Sequence, residues 1–394
     1  MKALHQEYGT IGFLIFDSVN NNLRDKELLT SLTSDHTNEL SASQIRQDTN
    51  SFLRNPRGVS PFAPDIYMIL AESHFNLAST FKHTNPIISS FNVLNDKTTF
   101  KTTLLVPTVG GGTHTAVFEI LSGISAASLK PLSYEDPHGK ISALVRQGFP
   151  SYLSSFNYQT YAFTFESKEF SSQAQGFYHF GISKIQDGID LGFPLGWNNV
   201  TDDAYLHAVV DRLPQSTYPQ FVFISTIENH GPHTCTNFTH PEQLLTQFDS
   251  AMPFTLQCSL NEFIVRDTHL AKGLQYLKQR IGMRRRPFIL FIFGDHLPFS
   301  FTNQTYLPFR SDNSIHQTDA LLLSNLPMSF TAPKQPLFLF TIPTLISLFI
   351  NHQDIFMQHN SSVIKNCKTW PIESCIIYER LVNTSRSQLR LPNQ

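Results

Sequence analysis

Acids and histidines close three apolar runs of this 394-residue chain. Ile66–Leu70 (IYMIL) runs into Glu72, Ser73 and His74. Phe221–Ser225 (FVFIS) runs into Glu228, Asn229, His230 and His233, and Phe288–Phe293 (FILFIF) into Asp295 and His296. A fourth segment, Val109–Thr115 (VGGGTHT), places two hydroxyls and a histidine behind three glycines. Glu72, Asp295 and His296 are hard or borderline ligands suited to Mn²⁺, Mg²⁺ or Zn²⁺. A threonine alkoxide would be a fourth ligand and a nucleophile, because the cation lowers its pKa. The cation then neutralises charge on a phosphoryl oxygen, while His230 binds a substrate oxygen or protonates a leaving group. An Asp-His pair can also be an exposed turn with two satisfied polar groups. The agreement of the other strand ends argues against that here.

Something must bring these residues to one place. A continuous apolar run of strand length is expected of a strand buried on both faces. Between such runs the chain carries amphipathic stretches, so the fold class is α/β: a mostly parallel central sheet flanked by helices on both faces. Ligands bind outside the carboxyl ends of the strands in open sheets, and the three acid-and-histidine ends should converge there. Ala116, Val117, Ile120, Leu121 and Ile124 have helical spacing, which puts Thr113 at or near a helix N-cap. Glycines before it let the backbone approach a ligand, and a helix N-terminus offers N–H groups to a phosphate. Residues 17–60 are rich in Asn, Ser, Thr and Asp. Residues 1–60 therefore read as an N-terminal helical arm or linker, and 61–394 as the catalytic domain.

Composition excludes several classes. Lys and Arg number 29 against 31 Asp and Glu, a formal net charge of −2, whereas nucleic-acid binders are usually clearly basic. Charged residues are 15%, yet hydrophobics reach 41% with 34 Phe, so the shortage of charge does not mean disorder. No apolar run reaches the length of a spanning helix; Gly12–Phe16 and Leu337–Ile350 are too short or too interrupted. The N-terminus does not read as a secretory signal. Cys235, Cys258, Cys367 and Cys375 form two close pairs that suit disulfides in an oxidising compartment, or four thiols that partly fill a core.

The segments PDIYMILAES, GGGTHTAVFEILSG, ENHGPH and FIFGDHLP resemble the landmarks of the alkaline phosphatase superfamily. More narrowly, they resemble the extracytoplasmic catalytic domain of the lipoteichoic acid synthase and phosphoglycerol transferase group. The resemblance implies that Glu72, Thr113, Asp295 and His296 bind one divalent cation, that Thr113 is the nucleophile and that His230 contacts substrate. It implies manganese first, with zinc or magnesium as alternatives. It also implies a phospholipid headgroup donor, a glycan or glycerol acceptor, a phosphothreonine intermediate, a membrane surface and the extracytoplasmic face of the cell envelope. Sulfatase activity would need a Cys or Ser in a C/S-x-P-x-R motif, and none of the four cysteines has that context. The group's membrane helices have no counterpart here, which leaves a soluble relative, a product with a separate anchor, or a piece of a longer chain. Its headgroup segment usually holds His, Trp and Arg; the corresponding Ala162–Gly176 holds none of them and leaves the headgroup open.

Neighbouring residues compete for these roles. Thr115 shares the turn of Thr113, but only Thr113 directly follows the triple glycine, as the family nucleophile does. His74 and His114 read as solvent-facing or supporting groups, and His233 as an aid to His230 or the start of a loop. Glu119 reads as a helix-surface or supporting group, and Glu228 matches no ligand position. Thr201-Asp202-Asp203 reads as an N-cap with first-turn acids near Trp197. The Arg284–Arg286 run reads as a solvated loop, with headgroup attraction as the lesser alternative. Two rival functions remain: a phosphatase or phosphodiesterase that passes the group to water, and a non-catalytic scaffold with a degenerate site. Phosphoethanolamine transfer would use the same residues.

Overall fold

The computed structural model describes residues 63–81, 100–126, 148–194, 200–235, 251–284, 286–302, 315–326 and 336–350, with shorter stretches and single residues between them. The expected arm at 1–60, Trp197, Cys367 and Cys375 lie outside the described residues.

Eight strands form one sheet: β1 (Asp65–Ala71), β2 (Phe100–Leu105), β3 (Gln159–Thr164), β4 (Lys184–Gln186), β5 (Gln220–Ser225), β6 (Phe288–Gly294), β7 (Gln317–Ser324) and β8 (Leu337–Phe338). Their order is β4-β3-β5-β1-β6-β7-β2-β8. The pairs β3–β4, β3–β5, β1–β5, β1–β6 and β2–β8 are parallel, and β7 runs antiparallel to both β6 and β2. The three runs singled out in the sequence are the adjacent inner strands β5, β1 and β6. Register aligns their ends: Leu70 pairs with Ser225 on one side and with Phe293 on the other.

Alternation along β1 explains the two layers. Ile66, Met68 and Leu70 join a core that includes helices α1 (Thr113–Ser122), α2 (Phe149–Ser154), α3 (Gln173–Phe180) and α6 (Ile342–Phe349). Tyr67, Ile69 and Ala71 face the opposite core, built with α4 (Asp202–Arg212) and the long α5 (Phe254–Met283). Every β1 residue is buried, as a strand covered on both faces requires. The Phe excess is mostly core, with Phe170 and Phe299 the exposed exceptions among the described residues.

The reading of Arg284–Arg286 as a solvated loop is corrected at its two described arginines. Arg284 and Arg286 each bring Nε to 3.2 Å from the Asp65 carboxylate, which is buried where β1 begins. Burial pushes the Asp65 pKa up while the two guanidinium groups oppose the shift. A buried acid so placed needs cations, and the residues leading into β6 supply them. The pair closes the amino end of the sheet, away from the strand ends that carry the acids and histidines.

Candidate active site

Local geometry at each strand end aims the functional groups. Beyond β1, Ser73 takes a positive φ of 51° and donates its N–H to Asp295 Oδ1 at 2.8 Å. Its hydroxyl donates to Glu72 Oε1 at 2.8 Å, and Glu72 N–H donates to Thr226 Oγ1 beyond β5 at 3.2 Å. The loops of three inner strands are thus sewn together. Gly294, the last residue of β6, must lack a side chain because a Cβ there would overlap the His74 carbonyl oxygen.

Gly110, Gly111 and Gly112 all have positive φ, and Gly112 is the N-cap of α1. Thr113 is therefore the first helical residue rather than the cap, so its hydroxyl is not committed to the helix's own N–H groups. It donates instead to Glu72 Oε2 at 3.2 Å and lies 3.3 Å from His296 Nε2. His296 Nδ1 is 3.2 Å from the Leu297 carbonyl, a contact that favours the proton on Nδ1 and leaves the Nε2 lone pair facing the cluster. That nitrogen lies 3.3 Å from Asp295 Oδ2 and 3.8 Å from Glu72 Oε1.

The structure thus brings Glu72, Thr113, Asp295 and His296 to one point. One ligand atom from each of Glu72, Asp295 and His296 lies within 4.8 Å of the others. All three are buried, and Asp295 Oδ2 has no hydrogen-bond partner. Burial, followed by the Asp295 charge, holds the Glu72 pKa well above the usual carboxylate range. Two desolvated carboxylates and an imidazole lone pair converging on one point make a candidate cation site. The donor set fits a divalent metal on these grounds.

His230 lines the same cavity as Glu72 and Thr113, together with His138, Glu166 and Gln173. Its Nδ1 lies 2.7 Å from the Gly231 carbonyl, and burial lowers its pKa, so a neutral ring presents Nε2 as the basic nitrogen. Thr115, two residues further along the same turn, is buried, with an Oγ1 that has no hydrogen-bond partner.

Three open readings are decided. His74 is fully buried rather than solvent-facing, with Nδ1 3.1 Å from Asp267 Oδ1 on α5. Glu119 is buried rather than on the helix surface, and accepts the Ala126 N–H at 2.9 Å beyond the end of α1. Cys235 and Cys258 form a disulfide, which resolves that pair from the open alternatives. Thr201 does cap α4, accepting the Ala204 N–H, but Asp202 does more than begin a helix. Its Oδ1 accepts the Ile227 and Glu228 N–H groups, and Glu228 Oε2 accepts the Asp202 N–H. Sequence reasoning missed Arg266, whose Nη1 donates to the carbonyls of Glu228 and His230, both at 3.0 Å. No motif flags it; the sole hint is a charge on the apolar face of an amphipathic helix.

Comparison with known proteins follows the geometry. The sulfatase family model matches residues 64–349. An uncharacterized protein of Haemophilus influenzae is 25% identical over 254 residues, 60% of this chain. The chain covers 44% of that relative's length. Among solved structures, the Streptococcus pyogenes phosphoglycerol transferase GacH in complex with sn-glycerol-1-phosphate superposes with a TM-score of 0.59 at 14% identity, over 91% of this chain and 92% of that one. The C-terminal periplasmic domain of EcEptC from Escherichia coli, in complex with zinc, gives 0.57 at 12% identity, over 74% and 84%. These two likenesses are of fold.

Proposed function

Because the chain belongs to the sulfatase family within the alkaline phosphatase superfamily, and is an enzyme of that class, we propose that it moves a phosphoglycerol-type group from a lipid donor to a glycan or glycerol acceptor through a phosphothreonine at Thr113. The observation that carries this reading is the Thr113 hydroxyl, held by Glu72 and His296 at the head of α1 in the cavity that His230 lines. Sulfatase activity itself has no support, since no cysteine lies in the motif it needs.

Glu72, Asp295, His296 and Thr113 would hold one divalent cation, manganese in this proposal, with zinc or magnesium as alternatives. Bound there, the cation would lower the threonine pKa and neutralise charge on the phosphoryl oxygens. Thr113 Oγ1 forms a bond to phosphorus as the bond to the lipid glycerol oxygen breaks, and the proton lost by the threonine reaches the departing alkoxide. The acceptor hydroxyl then attacks phosphorus and gives its proton to His230 Nε2 as the bond from phosphorus to Thr113 Oγ1 breaks; the imidazolium's proton returns to the Thr113 oxygen, so both residues regain their starting state. A neutral His230 suits this second step. The positive dipole end at the start of α1 favours the phosphate's negative charge.

The catalytic unit in this proposal is 61–394, with 1–60 as an arm. The location in this proposal is extracytoplasmic, at a membrane surface; the Cys235–Cys258 disulfide supports the first part, because such bonds persist in oxidising compartments. Among the described residues, no helix is long and apolar enough to cross a membrane. The test pairs elemental analysis of the purified protein with mass spectrometry of Thr113 after exposure to phosphatidylglycerol vesicles. Phosphoglycerol on Thr113 that resolves onto an added glycan or glycerol is the expected result. Resolution to water alone would make the protein a phosphodiesterase, and an unmodified Thr113 despite turnover would overturn the nucleophile.

A further inference from the structure

The loop that carries His230 leaves β5 and would be free to move if nothing held it. Its backbone is not regular, so its polar groups need partners from elsewhere. Helix α5 supplies one. Arg266 is 7% exposed and inserts its guanidinium beneath the loop, where one nitrogen spans two carbonyls, Glu228 O and His230 O. Glu262, one turn earlier and also buried, lies 3.7 Å from Arg266 Nε and balances the charge. The next residue, Asp267, reaches the other way to His74 in the loop after β1. Two consecutive buried charges on α5 therefore serve two different strand ends.

We infer that Arg266 is a positioning residue for His230: by fixing the carbonyls on either side of Asn229 it sets the path of the loop and keeps the imidazole in the cavity. This rests on the proposed role of His230. A planar guanidinium is suited to the task, since it is always charged and holds its donors in a fixed fork. A buried charge-assisted bond to a carbonyl is also stronger than a neutral one, so two of them make a firm anchor. A lysine carries the charge on a flexible stem and would hold the loop less well.

The experiment compares wild type with Arg266→Met and Arg266→Lys by hydrogen–deuterium exchange, metal titration and kinetics on phosphatidylglycerol. In the Met variant, amides of 227–233 should exchange at least about 10-fold faster while β1 and β6 stay unchanged. Manganese affinity should stay within about twofold, while kcat/KM falls by about 10-fold or more, with the Lys variant between. Arg266→Met should add little to His230→Ala in the double variant, because both act through one side chain. Asp267→Asn, the neighbouring control, should leave exchange in 227–233 unchanged. Unchanged loop exchange in the Met variant, or full additivity with His230→Ala, would overturn the inference. Faster exchange throughout the sheet in both Arg266 variants would make Arg266 a general fold residue and overturn it equally. A wild type without any transfer would sink the proposed function, and loop exchange would still decide the role of Arg266.

Discussion

Thr113 and Thr115 stand two residues apart on one turn of α1, and their surroundings separate chemistry from packing. The Thr113 oxygen meets a carboxylate and an imidazole; the Thr115 oxygen is buried without a hydrogen-bond partner. Thr113→Ala should lower turnover by at least about 10³-fold, roughly 4 kcal/mol, and Thr113→Ser should retain part of the activity. Because Gly112 rather than Thr113 is the cap, these changes should leave the melting temperature nearly unaltered. Thr115→Val keeps the side chain's shape and removes an unsatisfied hydroxyl, so stability should hold or rise by up to about 1 kcal/mol with turnover unchanged. Turnover assays and denaturant titrations of the three variants check this. Equal loss of turnover in Thr113→Ala and Thr115→Val would contradict the assignment.

Between elements, the start of α4 and the end of β5 lock each other through Asp202 and Glu228. Burial, then the Glu228 charge, pushes the Asp202 pKa up from 3.8 to about 7, so the folded protein holds that proton more tightly than the unfolded chain. The stability this confers is complete below pH 3.8 and is lost as pH rises through about 7. Asp202→Asn removes the titration. The stability of the variant relative to wild type should therefore rise with pH across that window, by up to about 4 kcal/mol. Denaturant unfolding from pH 4 to 8 measures it, and parallel curves would rule it out. At this scale the limits of the sequence are also clear. IYMIL, FVFIS and FILFIF were readable as inner strands because burial on both faces leaves a continuous apolar run. The ends of those strands carry Glu72, His230, Asp295 and His296 among several other polar residues, such as His74, Glu228 and His233, and the family resemblance picked out the four. Arg266, Asp267 and His74 were not readable. Their function depends on which loop α5 passes beneath, and that contact joins residues nearly 200 positions apart, as in His74–Asp267. The arginines at Asp65 misled for the same reason, since a basic run looks solvated until a buried acid is found beside it.

Across the whole molecule, the candidate metal cluster exists only when β1 and β6 lie side by side with the start of α1 against their carboxyl ends. A ligand that binds this arrangement and not the unfolded chain must stabilise it, by about 2.7 kcal/mol at a free concentration of 100 times its dissociation constant. Manganese should therefore raise the melting temperature in a concentration-dependent way, chelation should lower it, and Asp295→Asn should abolish the shift. Calorimetry across a manganese, zinc and magnesium series would show this, and no shift with any of the three would remove the case for a bound cation. The hydrogen bond from Ser73 N–H to Asp295 spans 222 residues. A ribosome adding about 5–20 residues per second needs on the order of ten seconds or more to cover that distance. Throughout that interval a nascent chain carries Glu72 without Asp295 or His296 and cannot close the cluster. An ion that needs Asp295 and His296 as well as Glu72 could bind only those molecules in which β6 has been made and has found its place beside β1.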